Sequence, residues 1–73
     1  KDTAARTIET IFVYLKDRQK DGRVSSDLNA RVTARRIFVA YEGAMQAWQL
    51  TGELEVIDDF AGIAQALLAT RKD

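Results

Sequence analysis

The sequence predicts an all-α fold of three antiparallel helices, over about residues 3–20, 27–51 and 55–71. Three observations carry that reading. Proline is absent and glycines number four in 73 residues, a composition that favours long helices over strands. Apolar residues recur at helical spacing in three separate segments. The breaks between them are short and marked by Asp21-Gly22 and Thr51-Gly52, and short connections make successive helices antiparallel neighbours.

The first helix carries Ala4, Ala5, Ile8, Ile11, Phe12 and Leu15 on one stripe, with Asp2 or Thr3 as its cap. Val13 and Tyr14 lie off that stripe and open the helix to cover from a second direction. Its last turn, KDRQK, places cations at the negative end of the helix dipole, and Gly22 supplies a left-handed stop. Asp27 is the predicted N-cap of the central helix, with Ser26 as the alternative.

That central stretch, Asp27 to Gly52, is apolar on two sides. A wide stripe holds Ala30, Ala34, Ile37, Phe38, Tyr41, Ala44, Met45 and Trp48; a narrow one holds Val32, Val39, Gly43 and Leu50. A helix apolar on two sides is covered on two sides. The last helix repeats Ile57, Phe60, Ala61, Ala64, Leu67 and Leu68, widened by Val56 and Ile63. Glu53, Glu55, Asp58 and Asp59 gather at its start and Arg71-Lys72 at its end, as the dipole favours. Gly62, Ala66 and Ala69 form a small-residue track, and Gly62 costs about 1 kcal/mol relative to alanine unless a close helix contact offsets it.

Residues 1–73 form a single helical domain whose own core is marginal at this length. Cysteine is absent, so neither a disulfide nor a thiolate metal site compensates, and association with other surfaces is the remaining remedy. The chain starts at Lys1 and its one methionine is Met45, which reads as a fragment of a longer protein. Eleven basic residues balance eleven acidic ones. That balance argues against a phosphate-binding surface or a polybasic membrane anchor, both of which need excess cations. No apolar run approaches the ~18 residues of a membrane span, and the cytoplasm is the expected compartment.

Histidine is absent as well, which removes most general-base, triad and transition-metal arrangements. No catalytic, metal or cofactor-binding residue is assigned. Ser25 and Ser26 read as helix-capping groups, the acidic cluster as dipole compensation, and Arg31, Arg35 and Arg36 as a solvated or salt-bridged face. The aromatic set Tyr14, Phe38, Tyr41 and Trp48 suits core packing, the favoured reading, or the lining of a small-molecule pocket. Ala40, Gly43, Ala44 and Ala47, with Gly62, Ala66 and Ala69, allow close helix approach within the chain or across a subunit seam, and the seam is the favoured reading.

The run from Asp21 to Gly52, followed by an amphipathic helix, resembles the C-terminal half of TetR-type transcriptional regulators. The likeness lies in the glycine stop Asp21-Gly22, the polar stretch Arg23 to Asp27, and a long helix with Ala34, Arg35 and Glu42-Gly43. It continues through the turn Trp48 to Leu50 and the last helix, Val56 to Thr70. The resemblance implies a non-enzymatic, homodimeric domain of a bacterial repressor, in which the central and last helices form a four-helix bundle with a two-fold mate. It also implies an unidentified small-molecule effector, and operator DNA bound through an N-terminal helix-turn-helix that this chain lacks. The expected dimer interface is Val39, Gly43, Gln46, Leu50, Ile63, Ala66 and Leu67; the expected effector pocket is lined by Tyr14, Phe38, Tyr41 and Met45. The competing expectation is a stand-alone helical module that binds a partner protein's helix.

Overall fold

A computed structural model describes residues 2–69. Among them lie three helices and no strand: α1 (Asp2–Lys20), α2 (Ala30–Thr51) and α3 (Glu55–Leu68). The predicted cations Arg71 and Lys72, and the last residues of the predicted third helix, lie outside the described residues.

Gly22 ends α1 as predicted. At φ +80° its N–H donates to the Gln19 carbonyl at 3.2 Å, and the Arg23 N–H donates to the Arg18 carbonyl at 2.9 Å. Those two bonds form a Schellman motif and satisfy carbonyls that the helix end leaves open. Gly52, at φ +69°, closes α2 the same way in the simpler form, its N–H donating to the Trp48 carbonyl at 2.7 Å.

The start of α2 differs from expectation. It begins at Ala30, not near Asp27, and its N-cap is Asn29, whose side-chain oxygen accepts from the Val32 N–H at 3.0 Å. Asp27 is drawn into the preceding loop, where its N–H donates to Ser25 Oγ at 3.0 Å. The loop is fastened from α1: Gln19 Nε2 donates to both the Ser25 and the Leu28 carbonyls, each at 2.9 Å. With residues 25–28 held as turns, the first residue free to cap is Asn29. Asn29→Ala should therefore lower stability by about 1 kcal/mol, whereas Asp27→Ala should change it by less than about 0.5 kcal/mol, as read by thermal denaturation.

Both α1 and α3 pack on α2 and not on each other. The core sits at one end, where Leu15 of α1 meets Ala30 and Ala34 of α2 and all three are buried. Ile8, Ile11, Phe12 and Ile37 surround that cluster, and Leu68 reaches it from the last turn of α3. Arg31 spans the α1–α2 junction, its guanidinium 3.8 Å from the Phe12 ring centre and 2.7 Å from Glu9. Both partners of that ion pair are more than half exposed, so its contribution is small. The result is a slab of 38 × 32 × 18 Å, little thicker than one helix layer.

Candidate interaction surfaces

α1 and α3 both lie against α2 without packing on each other, and Leu68 in the last turn of α3 reaches the core cluster. The space between α1 and α3 is a groove of about 760 Å³. Ile11 of α1, Ile37, Phe38 and Tyr41 of α2, and Phe60 of α3 form its apolar walls; Thr7 and Glu42 supply polar groups. Tyr41 and Phe60 meet edge to face, with ring centres 6.0 Å apart and planes at 72°. That pairing is the favourable geometry for two aromatic quadrupoles and fixes α3 to α2 at the groove wall. The volume lies within the range that holds a drug-sized ligand.

Two of the four expected pocket residues, Phe38 and Tyr41, line this groove. Met45 lies half-buried on α2 outside it. Tyr14 is 57% exposed and carries the Arg18 guanidinium 5.0 Å above its ring, away from the groove lining. Ile11 and Phe60 were legible only as stripe residues. A stripe wider than one neighbouring helix covers was the available sign that part of it borders open space.

A second, shallower crevice of about 290 Å³ runs between α2 and α3. Ala40, Gly43, Ala44 and Ala47 form one side; Val56, Asp59, Phe60 and Ile63 form the other. Three of the small residues, Ala40, Ala44 and Ala47, are half-buried here, so much of that track is turned to α3 of its own chain. Gly43 is different: it is exposed, and a Cβ built on it would meet nothing within 4 Å. The same is true of Gly62, so neither glycine is required by a close approach inside the chain.

The outer side of α2 carries the predicted narrow stripe, which is bare except at half-buried Val32. Val39 is 63% exposed and Leu50 82%, and Gln46 and Gly43 are exposed between them. Ile63, at the rim of the crevice, is 49% exposed; Ala66 is exposed and Leu67 half-buried. Six of the seven expected interface residues are thus free in the single chain. Among the described residues no helix is long and apolar enough to cross a membrane.

No protein-family model matches the chain, and neither a characterised protein nor a solved structure is significantly similar to it.

Proposed function

We propose that this chain is the homodimerisation and effector-sensing part of a TetR-type transcriptional repressor. In this reading it has no catalytic role and works in the cytoplasm, and operator DNA is bound by a helix-turn-helix elsewhere in the protein. The regulator identity rests on the sequence resemblance. One observation supports the dimer: the outer face of α2 leaves Val39 and Leu50 63% and 82% exposed, while the buried apolar residues among those described are only Leu15, Ala30 and Ala34. A second copy covering that face stabilises both chains by burying it. The groove walled by Phe38, Tyr41 and Phe60 suits an apolar effector, and it lies on the opposite flank of α2 from the bare stripe. Ligand entry between α1 and α3 would then bear on the helix that carries the dimer face, which is the coupling such regulators need.

Sedimentation equilibrium over a wide concentration range tests the reading. The expected result is a monomer–dimer equilibrium, weakened by Gly43→Leu, which puts a bulky side chain on the bare face. A helical monomer at every concentration overturns it and leaves the helical module that binds another protein's helix.

A further inference from the structure

The charges of this chain are separated along its length, although they sum to zero. Residues 1–36 hold nine cations and five anions. Residues 37–69 hold no cation at all and five anions: Glu42, Glu53, Glu55, Asp58 and Asp59. The antiparallel fold turns this into two poles. Arg35 and Arg36 stand on the first half of α2, beside the end of α1 that carries Lys16, Arg18 and Lys20. Glu53, Glu55 and Asp58 cluster at the opposite end, in the α2–α3 turn and the first turn of α3. Among the described residues neither Arg35 nor Arg36, nor any of those three acidic groups, forms an ion pair.

The bare side of α2 connects these poles. Val32, Arg36, Val39, Gly43, Gln46 and Leu50 follow one another at alternating spacings of four and three, the 3.5-residue repeat of a helix seam. A two-fold mate can meet this seam in two directions. Parallel, each residue faces its own copy, so Arg36 lies against the partner's Arg36 and the acidic turns lie against each other. Antiparallel about Gly43, residues equally far on either side face one another. Arg36 stands seven residues before Gly43 and Leu50 seven after, so they become opposite numbers. Glu53 lies just beyond the Gly52 cap, three residues along the chain from Leu50, at the start of the acidic α2–α3 turn that the partner's long arginine side chain would approach.

We propose that the second copy docks antiparallel, its α2 crossing this one at Gly43, so that Arg35 and Arg36 of each copy meet the acidic α2–α3 turn of the other. This rests on the dimer reading above and adds its direction and register. Like charges brought together at an interface oppose association, and complementary ones select a partner's orientation. The missing side chain at Gly43, which nothing in the chain's own packing requires, falls at the crossing point, where the two helix axes come closest.

Cysteine cross-linking reads the orientation directly, because the chain has no cysteine of its own. A disulfide needs Cα atoms within roughly 7 Å. In the antiparallel register two Leu50 positions stand about 21 Å apart along the seam. Leu50→Cys alone and Arg36→Cys alone are therefore expected to stay unlinked under mild oxidation, while the double variant R36C/L50C forms a covalent dimer. Both sites are exposed in the single chain, so the fold tolerates them. Self-linking of Leu50→Cys overturns the antiparallel direction while leaving the dimer intact. A sedimenting dimer in which the double variant stays unlinked overturns the Gly43 register. A helical monomer in sedimentation overturns the dimer reading and this inference with it. A second arm uses charge. R35E/R36E should weaken the dimer at least tenfold, and adding E53R/E55R should restore it; unchanged association of R35E/R36E alone, as a parallel mate would give because reversal leaves like charge facing like, overturns the proposal.

Discussion

Leu15→Ala is expected to lower the melting temperature by on the order of 15–40 °C. Leu15 is 1% exposed and is the one large side chain that is fully buried among the described residues. It stands where all three helices come together, against Ala30, Ala34 and the reach of Leu68. Its buried neighbours Ala30 and Ala34 have only methyl groups, which cannot swing into the space a leucine leaves. A cavity that does not collapse puts the cost in the upper part of the range of about 2–5 kcal/mol for such truncations. The whole fold of a chain this size is worth about 4–11 kcal/mol, so the loss is a large share of it. At about 4–8 °C per kcal/mol for a small domain, the shift is easily read by circular dichroism. Val13→Ala is the control: Val13 is 50% exposed, and alanine is the better helix former, so its effect should be close to zero. Equal shifts for the two variants would move the core away from Leu15.

What could be read without coordinates was whatever depends on neighbours a few positions apart. Gly22 and Gly52 announce helix ends because a left-handed residue is needed there and glycine adopts it without strain. The bare stripe of Val39 and Leu50 follows from a 100° step per residue alone. The N-cap at Asn29 was missed because its choice is not local. Ser26, Asp27 and Asn29 are all competent caps, and Gln19, from the preceding helix, decides among them by holding the Ser25 and Leu28 carbonyls in a turn. The groove was half legible for a similar reason. Phe38 and Tyr41 stand out as an aromatic pair on one helix face. That Phe60 and Ile11 join them depends on α1 and α3 both packing on α2 and not on each other. The split of the small-residue track, with Ala40, Ala44 and Ala47 turned to α3 and Gly43 left bare, is likewise set by the azimuth at which α3 lands on α2.

Replacing Val39 and Leu50 together by alanine is expected to abolish association while leaving the single chain as helical as before. The two effects have opposite signs, which is what makes the variant informative. In an isolated chain these side chains are 63% and 82% exposed, so removing them opens no cavity. Alanine also has the higher intrinsic helix propensity, most markedly against β-branched valine. A monomeric protein should therefore be unchanged or slightly more stable. In a dimer that buries the outer face of α2, both copies lose two apolar side chains from the seam. At about 1 kcal/mol for each of the four side chains, association weakens by roughly 4 kcal/mol, close to a thousandfold in Kd. Because folding and association are linked, the melting temperature of the unsubstituted chain should rise with protein concentration, and that rise should vanish in the double-alanine variant. Sedimentation and concentration-dependent melting thus give two independent readings of one face. Should the variant melt higher than the unsubstituted chain at every concentration, Val39 and Leu50 are solvent-facing residues of a monomer, and the partner of α2 lies on another side.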